Sequence, residues 1–146
     1  MSLNIETQKE RFDSFREERM PVLHDFSQKL GLSNPHEILI NPDPFLPPIN
    51  NWLSEQEIPE DAQNWILVRI GYFIGELLIE KYDGCWSVCE TSSSRYYGHY
   101  VVGDFSLVNT PNAMVAPMEA AFELINQPKG RSLTNIVNEI ELSLKN

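Results

Sequence analysis

Few residues in this chain have the types and spacing that carry chemistry. His99 lies in Tyr96-Tyr97-Gly98-His99-Tyr100, where an imidazole serves as a base, a metal ligand or a hydrogen-bonded core group. A catalytic base needs a nucleophile and an orienting carboxylate in reach. The nearest hydroxyls, Ser92, Ser93 and Ser94, fall in a serine-rich turn, a poor support for a fixed nucleophile, so a structural role is expected for His99. Glu76 and Glu80 stand four apart, a spacing that places two carboxylates on one helical face. A metal site would then need His99 through a tertiary contact, and His24 and His36 are isolated in other segments, so the pattern contains no recognisable ligand set. Cys85 and Cys89, read as strand residues, lie ~13 Å apart on one face, whereas a disulfide needs Cα atoms within roughly 7 Å. Without nearby His or further Cys they are poor zinc ligands, and both are expected to be buried, reduced packing residues. Gly71 and Gly75 lie inside a helical pattern rather than at its start, so no phosphate-binding loop and no cofactor are expected.

The element that positions most of these groups is a helix over residues 60–82. Ile66, Leu67, Ile70, Phe73, Ile74, Leu77 and Leu78 cover more than a third of its circumference, and Val68 and Ile79 extend the apolar surface, the mark of a buried helix. Its polar residues form one stripe, Arg69, Glu76 and Glu80, flanked by Trp65 and Tyr72. Two readings of the stripe stand: a solvent edge, or partly buried charges paired with groups on other elements. Two turns, ~10 Å of rise, separate Arg69 from Glu76, so a direct bond is not expected. Gly71 and Gly75 each cost ~1 kcal/mol of helix propensity relative to Ala, which implies close approach of another element.

Around this helix the pattern predicts an α+β domain spanning 1–146: N-terminal helices, the long central buried helix, an antiparallel β-hairpin or small sheet, and two C-terminal helices. Phe12, Phe15, Val22, Leu23, Phe26 and Leu30 recur at helical steps through the first thirty residues. Pro21 should end or kink that run near Arg19 or Met20, and Gly31 should stop it. Residues 34–51, with five prolines, read as a wrapping loop anchored by Phe45, Leu46 and Ile49, with a short turn at 36–40. A brief helix should follow from Asn50 or Asn51 to Glu57. Residues 85–90 and 96–105 read as hairpin strands joined by a turn at 91–95, with 105–108 as a further strand and 109–113 as a turn. On an extended strand His99 would share a face with Tyr97, Val101 and Phe105. Pro117 opens a helix with Met118, Ala121, Phe122 and Ile125 on one face, a break follows at 127–131, and Ser132 caps a last amphipathic helix.

Composition bounds what such a domain does. With 11 basic and 21 acidic residues the formal charge is −10, which argues against nucleic acid and anionic membranes as partners. Residues 31–64 contain six acidic residues and no Lys or Arg; the stretch is either a solvated connector or an attractor for a basic partner. Met1–Arg11 has no apolar secretion segment, and Ile70–Ile79, broken by Glu76, falls short of the ~20 residues of a span, so the cytoplasm is the expected location. The aromatic hairpin, with Trp86, Tyr96, Tyr97, Tyr100 and Phe105, is rich in the residue types of interface hot spots, and its edge offers a route to a homodimer.

The run Gly71-Tyr72-Phe73-Ile74-Gly75-Glu76, followed by Gly84-Cys85-Trp86, resembles a pattern of uncharacterised small bacterial proteins. In these an aliphatic-Gly-aromatic-x-x-Gly-Glu helix leads into a Gly-x-Trp strand; the resemblance covers about residues 65–105. It implies a cytoplasmic bacterial accessory or immunity-type protein and assigns no catalytic residues. Two functions follow. The first is a non-enzymatic protein-binding module. The second is a small-ligand or enzymatic domain with a pocket around Arg69, Tyr72, Glu76 and His99. The candidate binding residues are Trp65, Arg69, Tyr72, Glu76, Trp86, Tyr97 and His99.

Overall fold

A computed structural model describes residues 4–145 of the chain; residues 1–3, which open the helix expected over the first thirty, lie outside them. Helix α1 spans Ile5–Lys29. Asn4 starts it by accepting a hydrogen bond from the Thr7 N–H at 3.2 Å, which satisfies one of the orphan donors of the first turn. Of the end or kink expected at Pro21, the end does not occur: one helix runs through it. Proline removes one backbone bond, but Phe12 and Phe15 before it and Leu23 and Phe26 after it all pack on the same core, which holds the two halves in one helix. Gly31 ends the helix in the left-handed region at φ 71°. Its N–H donates to Gln28 O and that of Leu32 to Ser27 O, each at 3.0 Å, the paired bonds of a Schellman stop.

The proline-rich stretch is more ordered than its composition implies. Two 3-10 turns, Pro35–Glu37 and Asp43–Phe45, lead into helix α2 at Leu46–Glu55, which starts earlier than the expected Asn50. Pro47 and Pro48 occupy its first turn, where the N–H groups have no helical acceptor and nothing is lost. The expected anchors hold, with Phe45 and Ile49 buried and Leu46 packed against them. The C-terminal carbonyls of α2 are satisfied by Arg131, 6% exposed. Its Nη1 donates to Leu53 O at 2.7 Å and Gln56 O at 2.8 Å, while Nε and Nη2 reach Gln127 O. The segment expected only as a chain break at 127–131 therefore clamps α2 to the end of the molecule.

Helix α3, Gln63–Tyr82, follows a 3-10 turn at Glu60–Ala62 and ends on Asp83, left-handed at φ 55°. Residues 70–78 are buried without interruption. Strands β1 (Cys85–Val88), β2 (Tyr100–Gly103) and β3 (Met114–Val115) form an antiparallel sheet in that order. Trp86 pairs with Val102, and Val102 with Val115. The hairpin is shorter than expected, because 91–98 forms turns, with Gly98 at φ 82°. No strand occurs at 105–108, and β3 supplies the third strand instead. Helices α4 (Pro117–Ile125) and α5 (Leu133–Lys145) close the fold; Ser132 Oγ accepts from the Asn135 N–H at 3.1 Å, the expected cap. Among the described residues the result is an α+β fold of five helices and a small sheet. One face of the sheet joins the main core through Trp86, Val102 and Val115, and Val101 on the other meets Cys89 and Ala116. No helix among the described residues is long and apolar enough to cross a membrane.

The two glycines of α3 are sites of close approach. A Cβ on Gly71 would overlap the Met118 thioether of α4, and one on Gly75 would overlap the six-membered ring of Trp86 in β1. Gly75→Ala gains ~1 kcal/mol of helix propensity but drives a rigid indole from its place, so a net loss of about 1–2 kcal/mol is expected. The Met118 thioether is flexible and yields, and only its Cα at 3.2 Å remains close, so Gly71→Ala is expected to cost less. Urea unfolding of both variants checks the order; equal stability would show that Trp86 does not depend on the missing side chain.

Candidate functional site

Glu76 is 6% exposed, and both of its oxygens are occupied. Oε2 accepts the Trp86 Nε1–H at 2.9 Å, and Oε1 accepts the Arg19 Nε–H of α1 at 3.1 Å. One carboxylate thus joins α3, β1 and α1. The reading of the stripe as buried and paired holds for Glu76, and its partner is Arg19 rather than Arg69. Tyr72, one turn earlier, is buried and donates its hydroxyl to Phe15 O at 2.7 Å. Phe15 lies in a ring cluster, with centroids 4.8 Å from Tyr72, 5.0 Å from Trp86 and 4.2 Å from Tyr100. Burial, helped by the negative charge of Glu18, pushes the Tyr72 phenol well above its ordinary range, and Arg19 and Arg69 oppose this only in part.

Arg69 points elsewhere. Its guanidinium stacks over Trp65, 4.1 Å from the ring centroid, and Nη1 donates to Trp65 O at 3.1 Å. Nε is buried with no hydrogen-bond partner among the described residues. Burial lowers the Arg69 pKa against the raising effects of Asp25 and Tyr72. Cation–π attraction offsets part of that desolvation. Trp65 also meets Phe26 edge-on at 5.8 Å, and Lys29 lies 5.4 Å from its ring. Phe26 meets Trp52 in the same way at 5.6 Å. The Trp65 and Arg69 pair therefore helps seat α1 against α2 and α3.

The structure does not gather the sequence candidates at one place. Tyr72, Glu76 and Trp86 share the buried cluster, Trp65 and Arg69 form a second, and among the described residues no hydrogen bond joins His99 to either. Because β2 begins at Tyr100, the strand alternation expected for Tyr97 and His99 does not apply: Tyr97 lies exposed in a turn and His99 is half-buried. Glu80 is exposed, so Glu76 and Glu80 face different surroundings, and no group of three His, Cys, Asp or Glu able to hold a metal occurs among the described residues. Both cysteines are free, but Cys85 is exposed, against expectation, and only Cys89 is buried. Strand β1 ends at Val88, and Cys89 just beyond it packs on Val101, the partner of Ser87, on the same side of the sheet as Cys85.

His99 instead borders an open groove of about 330 Å³ lined by Gln8, Leu67, Tyr100, Met118, Glu119 and Phe122. Tyr100 floors it and is fixed by donating its hydroxyl to Gln8 O at 2.8 Å. The Gln8 Nε2–H donates in turn to Gly98 O at 3.0 Å. Phe122, expected with Met118 and Ala121 on a core face, is 54% exposed at the lip. Ala121, Leu124 and Ile125 are the residues that α4 buries, with Pro117. Arg19, Phe15 and Phe122 carry the geometry, and none was among the candidate site residues: their roles come from tertiary contacts, and the one available signal was the large apolar side chain at 122 between Glu119 and Glu123. No protein-family model, curated protein or solved structure matches the chain.

Two outcomes test the cluster. Glu76→Ala strands the Trp86 N–H and the Arg19 charge and is expected to cost about 3 kcal/mol. Glu76→Gln keeps an acceptor for Trp86 and should cost less than half of that, read by denaturant unfolding. A neutral phenol favoured in the folded state contributes stability that is complete below the unfolded pKa of about 10 and declines as pH rises above it. Tyr72→Phe is expected to lose about 1 kcal/mol at pH 7 through its hydrogen bond and to make the fall in stability above pH 10 shallower. A fall of unchanged slope would assign the alkaline loss to other groups.

Proposed function

We propose that this chain is a non-enzymatic protein-binding module, an accessory or immunity-type protein of the bacterial cytoplasm. The observation that carries the reading is the division of its polar and apolar groups. The Tyr72 hydroxyl and the Glu76 carboxylate spend their hydrogen bonds on the fold, while large apolar side chains line an open groove. Aromatic residues left at a surface are those that dominate protein interfaces. The resemblance of residues 65–105 to small bacterial accessory proteins points the same way. A ligand or enzymatic site built on Arg69, Tyr72, Glu76 and His99 would need the buried cluster to open and release Tyr72 and Glu76 from α1 and Trp86.

Native purification of the tagged full chain from its source cells, followed by size-exclusion chromatography with mass detection, tests the reading. The expected result is a stoichiometric complex with another protein. A chain that elutes alone and retains a small molecule in the mass spectrum would favour the ligand site instead.

A further inference from the structure

Resting on that reading, we propose that the groove between α1, α3 and α4 receives the apolar face of a basic amphipathic helix from a partner protein. Contiguity is the first argument. Ile40, Leu107, Leu142 and Met20 are also exposed, but they stand on separate turns and helices. Phe122 adjoins further apolar side chains, Leu67, Tyr100 and Met118, around one depression. Contiguous apolar surface of this kind marks an interaction site where single exposed residues do not.

Rigidity is the second argument. The Tyr100 and Gln8 hydrogen bonds tie the α1 wall to the sheet floor, and the Met118 contact at Gly71 fixes α4 on α3. A pre-formed groove lowers the ordering cost of binding. It presents apolar walls on two helices, the surface that accepts a helix through anchors spaced three and four residues apart.

Charge selects the partner. Met118 meets Gly71, and Phe122 shares the groove with Leu67 four residues before it, so α4 runs antiparallel to α3. That direction carries exposed Glu123 toward the start of α3, where Glu60 and Asp61 are exposed. On the α1 side burial raises the Tyr100 pKa and nearby Arg11 opposes it, while exposed Glu6 and Glu10, two residues either side of Gln8, fall on the far face of the helix. Arg95 is already paired with Glu119, and Lys9 with Glu90. Glu119 lines the groove, Glu123 is exposed beside Phe122, and the whole chain carries −10. A second copy would set one chain of charge −10 against another, whereas a helix with Lys or Arg beside its apolar stripe complements that charge.

The test uses the full chain and three fluorescent model helices, each about four turns long. One is amphipathic with Leu and Lys, one has Leu and Glu, and one keeps every Lys but has Ser in place of Leu. Anisotropy titrations are expected to show the Leu/Lys helix binding at least about tenfold tighter than either other peptide, a difference of about 1.4 kcal/mol. Phe122→Ser should remove that tenfold preference while leaving thermal unfolding unchanged, and Glu123→Lys should weaken the Leu/Lys helix at low salt. Equal binding of the Leu/Lys and Ser/Lys peptides would overturn the proposal, because charge alone would then explain it. Dimerisation of the wild type that Phe122→Ser abolishes would also overturn it, by assigning the groove to a second copy. If a native partner co-purifies equally with the wild type and Phe122→Ser, the protein-binding reading survives and the groove is excluded as its site.

Discussion

A carboxylate taken out of water must recover its lost hydration from hydrogen-bond donors, and at Glu76 these come from two elements far apart in the chain. Arg19 lies 57 residues before it and Trp86 ten residues after. Neither donor reaches the carboxylate unless α1 lies along α3 and β1 folds back over its C-terminal half. The indole approaches that closely only because position 75 has no side chain. Glu76, Gly75 and Trp86 are therefore one constraint: the missing Cβ admits the ring, the ring delivers the N–H, and the N–H makes the buried charge tolerable. Phe15 then closes the cluster from α1, with the Tyr72 hydroxyl anchored on its carbonyl.

That constraint determines what is left for the surface. A polar stripe on an apolar helix invites a functional reading, since clefts combine aromatic walls with a few polar groups. Here the two buried members of the stripe and its flank, Glu76 and Tyr72, act as struts for α1, and Arg69 is drawn to Trp65. Buried charge of this kind adds little net stability compared with apolar packing, but breaking it is costly. Its effect is to specify one placement of α1, and through Gln8 and Tyr100 that placement shapes one wall of the groove.

The elements were legible in the sequence where local chemistry dictates them. The buried helix, the Gly31 stop, the Ser132 cap and the close approach at Gly71 and Gly75 all follow from periodicity, left-handed preference or propensity cost. Legibility failed where long-range packing competes with local rules. Pro21 can end a helix or bend it, and aromatic and aliphatic anchors on both sides of it keep α1 continuous. Pro47 and Pro48 looked like loop residues, but in the first turn of α2 they cost nothing. Of the candidate site, the sequence exposed Glu76 and Trp86 as unusual but not their bond, because a ten-residue offset becomes a contact only through the turn at Asp83. Arg131 was invisible for the same reason: its acceptors lie on Leu53 and Gln56, more than seventy residues away.

Phe122 poses the remaining physical question. Fully burying a Phe side chain is worth about 1.5–3 kcal/mol, and α4 offers buried positions at Ala121 and Leu124 on either side of it. The fold forgoes that gain at 122, and adjoining it are three more apolar side chains, Leu67, Tyr100 and Met118, around a floor held by hydrogen bonds. A lone exposed leucine such as Leu107 costs little and needs no explanation. Apolar side chains held rigidly around one depression forgo a larger gain in the isolated chain.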